Sequence, residues 1–263
     1  MTRILAVVNQ KGGVGKTTTA VNMATALAAI GKKVLVVDLD PQGNASTGLG
    51  IPQSQRTKTS YQVLIGDVSL EDAAVKTAIP RLEIAPATID LSGAEIELVT
   101  MEEREFQLKN ALKDMPDRWD YVVIDCPPSL GLITINALTA SHAVLIPLQC
   151  EFYALEGLSH LLKTIRRIQQ HLNPDIAIHG VVLTMYDRRN KLTEQIEADV
   201  RSFLGADVYK TVIPRNVRIS EAPSHGQPAI VYDLKCAGSQ AYVKLAREMI
   251  ARERQFLSAA KAA

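Results

Sequence analysis

The sequence of 263 residues has little net charge, few aromatic residues and only three cysteines, and each shortage excludes a class of protein. A net charge of +1 gives no global excess of positive charge, so any nucleic-acid site has to be a local patch. The cysteines are odd in number and widely spaced, with no CxxC pair. This argues against a zinc site, a single-chain iron–sulfur centre or a disulfide framework, and indicates a reducing compartment.

Long apolar segments are also missing. No apolar run approaches the ~20 residues that a membrane span needs. The N-terminus shows no basic region followed by an apolar stretch and a cleavage site. The last segment, Phe256–Ala263, is too weakly amphipathic to predict a membrane anchor. We therefore expect a soluble cytoplasmic protein with no membrane partner.

Aliphatic residues are abundant, because hydrophobic residues make up 47% of the chain and aromatic residues only 5%. Short β-branched runs alternate with segments of helical periodicity, which is typical of a parallel sheet covered on both faces. The predicted strands are Arg3–Val8, Lys33–Asp38, Leu82–Ala85, Tyr121–Asp125, Ala143–Pro147, Ala177–Thr184 and Val208–Ile213. The predicted helices are Thr19–Ile30, Leu155–Leu172, Leu192–Leu204 and Gln240–Leu257.

This alternation predicts one α/β domain over residues 1–263, a doubly wound and mostly parallel sheet with helices on both faces. Ligands of such sheets bind at the carboxyl ends of the strands. No linker rich in proline, glycine or serine marks a domain boundary. The polar segment Gly50–Ser60 is expected to be a mobile surface excursion.

A glycine-rich loop, Asn9–Thr18, separates the first predicted strand from the first predicted helix. Its glycines are Gly12, Gly13 and Gly15. Without Cβ atoms, the backbone can curl and direct its N–H groups inward, and the helix dipole also favours a polyanion there. Lys16 would reach the β- and γ-phosphates of a nucleotide, and the Thr17 hydroxyl would coordinate Mg²⁺. The alternative is a glycine-rich turn without a ligand.

Carboxylates follow two further predicted strands. Asp38 and Asp40 lie where the second strand ends, because Pro41 cannot extend a strand ladder. Asp125 ends another strand, and a carboxylate at that place is the usual outer ligand of Mg²⁺ beside a phosphate loop. Two aspartates separated by one residue suit a metal site and a water-activating base. For Asp40 the alternative is a turn in which the side chain caps the backbone.

The segments KGGVGKTT, DLDPQGN and DCPPSLG resemble the deviant Walker A, switch I and Walker B/switch II motifs of the ParA/MinD family. The similarity to chromosomal ParA/Soj proteins runs from Ile4 to about Ile250. It implies a P-loop NTPase-like fold with ATP and Mg²⁺ as cofactors. The nucleotide-binding residues it implies are Lys11, Gly12, Gly13, Val14, Gly15, Lys16, Thr17 and Thr18.

The resemblance also assigns roles to individual residues. Thr17, Asp38 and Asp125 would serve the metal ion, and Lys11, Lys16 and Asp40 would be catalytic. Asp40 would polarise the attacking water, and Lys11 would reach across a dimer interface to the partner's nucleotide. Leu91–Glu95 and Gln149–Gly157 also look like this family without suggesting chemistry, apart from a contact of Glu151 with a partner subunit.

Two later regions complete the family pattern. Met185, Pro214 and Asn216 correspond to residues that surround the adenine. Between Lys163 and Arg218 ten Lys or Arg stand against six Asp or Glu, a local excess of four positive charges. Such a patch can follow phosphates without reading bases, although a solvated surface is the alternative. The resemblance favours DNA binding by Arg189 and Arg218, with Arg215 and Arg188 as helpers.

Together these features predict an ATPase of the DNA-segregation class. ATP would close a homodimer that binds double-stranded DNA of the nucleoid non-specifically, and a ParB-like partner would stimulate hydrolysis. Three alternatives remain open: a MinD-like spatial-positioning ATPase, an iron–sulfur carrier that uses Cys126 and Cys150 across a dimer, and a DNA-coating scaffold whose turnover is incidental.

Overall fold

Seven strands form one sheet in the computed structural model, which describes the backbone of residues 2–262 and the side chains of residues 2–254. The strands are β1 (Arg3–Val7), β2 (Val34–Asp38), β3 (Val75–Lys76), β4 (Leu82–Ala85), β5 (Tyr121–Asp125), β6 (Ala143–Gln149) and β7 (Ala177–Thr184). Their order across the sheet is β3-β4-β2-β5-β1-β6-β7. Every neighbouring pair is parallel except β3–β4, which is antiparallel at the edge. The predicted α/β class is therefore confirmed.

Helices connect the strands. Within the described residues they are α1 (Lys16–Ala29), α2 (Asn44–Gly48), α3 (Ser60–Leu64), α4 (Leu70–Ala73), α5 (Leu91–Thr100), α6 (Gln107–Lys113), α7 (Leu132–Ala140), α8 (Ala154–His171), α9 (Lys191–Leu204), α10 (Val217–Glu221), α11 (Ala229–Tyr232) and α12 (Ala237–Ala262). None of them is both long and apolar enough to cross a bilayer. The side chains of Phe256–Ala263, for which we expect no membrane anchor, lie outside the described part.

Two aliphatic cores cover the two faces of the sheet. One contains α1, α11 and the first part of α12, and Met23, Leu27 and Leu245 are fully buried in it. The other contains α5 to α9, with Leu91, Leu138 and Leu161 buried. Because strands between two such layers have no polar face, β2 and β5 are buried along their whole length.

The strand register determines where the predicted site residues meet. Asp38 at the end of β2 lies opposite Asp125 at the end of β5, and Asp125 also lies opposite Val7 at the end of β1. The glycine-rich loop starts directly after β1, so the loop and both aspartates share the carboxyl edge of the sheet.

The predicted strand Val208–Ile213 is wrong. The segment runs beside β7, but it makes only isolated bridges, and the amides of Tyr209 and Ile213 donate to Val181 and Leu183. Between these contacts the amides of Lys210 and Thr211 donate to the Glu248 carboxylate on α12, at 2.8 and 2.9 Å. A side chain thus replaces the strand partner, and no continuous ladder forms.

The segment Gly50–Ser60 is anchored, in contrast to the mobile excursion that its polarity predicts. Arg56 donates hydrogen bonds to the carbonyls of Ile51, Gly43 and Ala87. Ser60 is buried, and its hydroxyl donates to the carbonyl of Asp38 at 2.5 Å. The segment therefore packs directly behind the predicted switch I.

Candidate nucleotide-binding site

The glycine-rich loop has a preformed curved backbone. Gly13 and Gly15 have φ values of 75° and 87°, in the left-handed region where side chains are strained. Gly15 also caps α1, so the free amides of the first helical turn point to the concave side of the loop. A Cβ at Gly12 or Gly13 would meet no atom within 4 Å, which leaves room for a ligand. The loop is held from behind by Asn9, whose amide donates to the Pro147 carbonyl at 2.7 Å.

Lys16 lies inside the loop, with only 6% of its surface exposed. Its ammonium group donates to the carbonyl of Lys11 at 2.9 Å. Burial lowers the pKa of Lys16, while the nearby carboxylates of Asp125 and Asp40 act in the opposite direction. A buried cation at the start of a helix is suited to an incoming phosphate, which would supply the missing negative charge.

Lys11 extends outward from the same loop. Half of its side chain is exposed, and its ammonium group forms an ion pair with Glu151 in the same chain. The aromatic rings of Phe152 and Tyr153 follow directly and are 77% and 67% exposed. For Gln149–Gly157 the sequence suggested only a contact of Glu151 with a partner subunit, which stays a prediction. In this chain Glu151 pairs with the loop lysine of its own subunit.

Asp38 is fully buried and holds the loop after β2 in place. One carboxylate oxygen accepts hydrogen bonds from the amide and the hydroxyl of Ser46, at 2.8 and 2.7 Å. The other accepts from the amide of Asp40 at 3.2 Å. Burial raises the pKa of Asp38 to about 6, against the effect of these hydrogen bonds. Its assignment to the metal ion stays a prediction, since the carboxylate is already engaged by the protein.

Ser46 connects Asp38 to the next strand, because its hydroxyl also accepts from the amide of Ala87 at 3.0 Å. We expect Ser46→Ala to lower the free energy of unfolding by about 1–3 kcal/mol, since a buried amide and a buried carboxylate each lose a partner. Urea denaturation measures this effect. Ser54→Ala, at an exposed position of the same region, is the control, and equal midpoints for the two variants would contradict the role of Ser46.

Asp40 is nearly buried, and its geometry is compatible with both roles that the sequence predicts, capping of a turn and polarisation of a water molecule. Its Oδ1 accepts from the amide of Gln42 at 3.0 Å, the capped turn that the Asp-Pro pair predicts. A carboxylate has about four lone-pair sites, so this turn leaves others for a water molecule. The Asp40 carboxylate is close enough to Lys16 to raise the pKa of that ammonium group.

Asp125 is fully buried, and neither of its carboxylate oxygens has a hydrogen-bond partner in the described part of the chain. Burial and then the charge of Asp38 raise the pKa of Asp125 well above its ordinary value. The Thr17 hydroxyl and Lys16 act in the opposite direction, although Thr17 does not reach hydrogen-bond geometry. Carboxylate and hydroxyl oxygens are donors of the kind that Mg²⁺ binds, and the assignment of Asp125 and Thr17 to the metal ion stays a prediction.

The three residues predicted to surround the adenine lie on two neighbouring segments, residues 185–186 and 214–216. Met185 has a left-handed backbone, with φ of 49°, and its Cε is 4.0 Å from the Cβ position that a side chain at Gly15 would have. Pro214 bridges to Tyr186 next to it. Asn216 accepts a hydrogen bond from the amide of Arg218 and so caps α10, which uses its side-chain oxygen.

Three of the predicted DNA-binding arginines, Arg188, Arg189 and Arg215, lie on loops, and Arg218 lies in α10. The Arg215 amide donates to the Tyr186 carbonyl, which brings Arg215 next to the segment that carries Arg188 and Arg189. Arg189 forms a bidentate ion pair with Asp187. Arg218 is paired with Glu221 at 3.0 Å and lies 3.7 Å from Asp233. All four arginines are exposed, and their binding to DNA stays a prediction.

Glu95 is a site residue that sequence reasoning did not explain. Its carboxylate accepts from the amides of Leu132 and Ile133, the first residues of α7. It therefore caps the helix that follows the DCPPSLG segment, and a Cβ at Gly131 would collide with it. The short motif LSGAE marked this segment in the sequence. It did not indicate the partner of Glu95, which lies 37 residues away.

These features define a P-loop-type nucleotide-binding protein. They are the mostly parallel sheet, the curved glycine loop with the buried Lys16, and the two aspartates, Asp38 and Asp125, that lie opposite each other at the carboxyl edge. A protein-family model described as an AAA domain matches residues 2–178. The chain is 61% identical over 254 residues to the chromosome partitioning protein ParA of Caulobacter vibrioides, covering 96% of this chain and 95% of that protein.

Two further relatives agree in extent. The sporulation initiation inhibitor protein Soj of Bacillus subtilis is 55% identical and aligns with 95% of this chain and 99% of its own. A Mycobacterium smegmatis crystal structure titled cobyrinic acid a,c-diamide synthase, with bound ADP and magnesium, superimposes with a TM-score of 0.83. It is 41% identical and covers 94% of this chain and 93% of its own. The chain belongs to the ParA/Soj family of chromosome partitioning proteins.

Proposed function

We propose that this protein is a Mg²⁺-dependent ATPase that partitions DNA, acting as an ATP-bound dimer on double-stranded DNA. The observation that carries the proposal is the juxtaposition of the preformed phosphate loop with Lys16, Asp40 and Asp125. The names of the ParA and Soj relatives support the partitioning role, and the ADP and magnesium of the solved relative support the cofactors.

The residues fit a nucleotide–metal complex. The amides of Gly12 to Thr18 would hold the phosphates, and Lys16 would neutralise them from inside the loop. Thr17 and Asp125 would hold Mg²⁺, directly or through water, with Asp38 behind them. The metal ion supplies charge neutralisation of the phosphate oxygens when bound. Asp40 would orient and polarise a water molecule, which displaces ADP and releases inorganic phosphate.

The reaction is tested by phosphate release. We expect the purified protein to release phosphate from ATP with Mg²⁺ and to lose this activity in EDTA. A ParB-like protein would increase the rate by stabilising the transition state for hydrolysis more than the ATP-bound ground state. A rate that does not change on removal of the divalent ion would contradict the metal assignment.

The dimer is supported by the surface beside the loop. Among the side chains that the structure describes, Glu151 is the only partner of the Lys11 ammonium group, and exposed ion pairs contribute about 0–1 kcal/mol. Lys11 can therefore exchange this partner for a phosphate on a second subunit. The exposed rings of Phe152 and Tyr153 offer apolar area for the same contact.

We expect Lys11→Ala to bind ATP but to remain monomeric, because it removes a cation that faces the partner subunit. Light scattering with a slowly hydrolysed ATP analogue measures the mass, and nucleotide affinity is measured in parallel. Lys244→Ala, at an exposed position on α12, is the matched control and should dimerise normally. An ATP-dependent dimer of Lys11→Ala would count against the role of Lys11 in the partner's site.

DNA binding is supported by the arginines at the carboxyl edge. We expect Arg218→Ala to weaken binding to any DNA sequence without affecting dimerisation. Each lost phosphate contact lowers the salt slope by about 0.9, so a dimer with two Arg218 would lose nearly two. Mobility shifts at several salt concentrations measure the slope, with Arg247→Ala on α12 as control. Unchanged slopes would refute a DNA contact of Arg218.

Two alternatives predict different partners. A MinD-like ATPase would co-sediment with liposomes in the presence of ATP. The present proposal predicts that this protein does not. An iron–sulfur carrier would need accessible thiols, but Cys126 and Cys150 are buried, and burial raises the pKa of each. An iron assay on anaerobically purified protein distinguishes this alternative.

A further inference from the structure

A second basic cavity lies at the opposite edge of the sheet from the glycine loop. It has a volume of about 470 Å³ and lies beside the amino ends of β2 and β4. Lys33 precedes β2 and Arg81 precedes β4, while Lys76 belongs to the edge strand β3. A five-residue strand is about 16 Å long, so the cavity is well separated from the nucleotide site.

The walls of the cavity carry four cations and one carboxylate. The carboxylate, Glu83, already accepts from Arg118 at 2.7 Å and from the Trp119 indole at 2.9 Å. Arg118 is also paired with Glu71 at 3.0 Å. The charge of Arg118 is thus neutralised by Glu71 and Glu83 of the same chain. Glu83 is therefore not available to the remaining cations.

The other three cations have no such partner. Within the described side chains, Lys33, Lys76 and Arg81 form no ion pair. The Asp120 carboxylate accepts from the backbone amide of Lys33 at 2.8 Å. Three unneutralised cations around one concave surface produce a positive potential that favours an anion.

One of these cations, Arg81, is held in place by the protein. Arg81 has a φ of 67°, unusual for a residue with a side chain, and its guanidinium donates to the Gly31 carbonyl at 2.9 Å. The floor is Trp119, only 4% exposed, with the Arg118 guanidinium 4.2 Å from its ring centre. Ile79 and Pro80 add an apolar wall. The nucleotide mechanism uses none of these residues.

We propose that this cavity binds a small organic phosphate of mononucleotide size. Lys33, Lys76 and Arg81 would contact the phosphate group, for which lysine and arginine are the usual ligands. Ile79 and Pro80 would contact the organic part. The volume lies within the range of about 300–1,000 Å³ that small-molecule sites occupy. The family's nucleotide site is on the other edge, so this would be a separate site with its own ligand.

The protein contains one tryptophan, and it forms the floor of this cavity, so its fluorescence reports on this site. Titration with 5′-AMP should change the emission of Trp119 saturably, whereas adenosine, which lacks the phosphate, should not. In Lys33→Ala/Lys76→Ala the apparent Kd should rise at least about tenfold, since two charge-assisted contacts are lost. Both lysines are exposed, so the variant keeps its fold.

Two control variants separate this site from the others. Lys244→Ala should respond like the wild type, because its lysine lies outside the cavity. Lys16→Ala should also respond, because the cavity does not depend on the glycine loop. The proposal is overturned if AMP has no effect, if adenosine acts equally, if Lys16→Ala abolishes the response, or if only duplex DNA produces one.

Discussion

Replacement of Lys16 by alanine should abolish nucleotide binding, with a loss of affinity of at least about 100-fold. The lysine is buried, and its ammonium group has only a backbone carbonyl as hydrogen-bond partner. Removing one partner of a buried, charged hydrogen bond costs about 2–5 kcal/mol, and each 1.4 kcal/mol is a factor of ten. Titration with a fluorescent ATP analogue measures the affinity.

The fold should tolerate this substitution, because burying a charge is unfavourable and the Lys16→Ala variant no longer buries one. Circular dichroism and the unfolding midpoint provide the check. Lys244→Ala is again a control for loss of one lysine and should bind ATP normally. An unchanged affinity in folded Lys16→Ala would refute the phosphate-loop assignment, and with it the ATPase.

Replacement of Asp40 by alanine should leave nucleotide binding intact and slow hydrolysis by about 10²- to 10⁴-fold, the range for loss of a positioned base. The side chain is close enough to influence the pKa of Lys16, and its one side-chain hydrogen bond in the described part of the chain is with the amide of Gln42, outside the glycine-rich loop. Single-turnover phosphate release separates this step from product dissociation. Asp187→Ala, which removes a carboxylate from the arginine loop, is the matched control.

The same variant distinguishes the enzyme from a scaffold. Asp40→Ala should remain dimeric and bound to DNA in ATP, because it cannot hydrolyse the nucleotide, and DNA segregation in cells should fail. Normal segregation by a hydrolysis-deficient Asp40→Ala protein would favour the DNA-coating scaffold instead.

The fold could be predicted because its local signals are strong. The predicted helix Leu155–Leu172 corresponds to α8 at Ala154–His171, since its apolar residues recur at three- and four-residue steps. Val208–Ile213 carries the β-branched pattern of a strand, but its amides are bound by Glu248 from α12. No local pattern predicts a partner that lies 37 or 38 residues away.

The sequence predicted where the site lies in the fold, but it did not predict the contacts that hold the site together. The register opposes Asp38 to Asp125, as the two strand ends indicate. However, Ser46 and Glu95, which fix these loops, accept hydrogen bonds from backbone amides that lie 41 and 37 residues away in the sequence. The ion pair of Lys11 with Glu151 joins positions 140 residues apart. Such contacts follow from the topology and have no signature at either position.

The coupling of nucleotide state to DNA binding is the central claim. It is tested most directly by co-sedimentation of the wild-type protein with DNA in ADP, in ATP and without nucleotide, across a series of salt concentrations. We predict binding only in ATP, to any sequence, with an affinity that decreases as salt increases. Binding in none of the three states, or equal binding in all three, would contradict a nucleotide-gated clamp on the phosphate backbone.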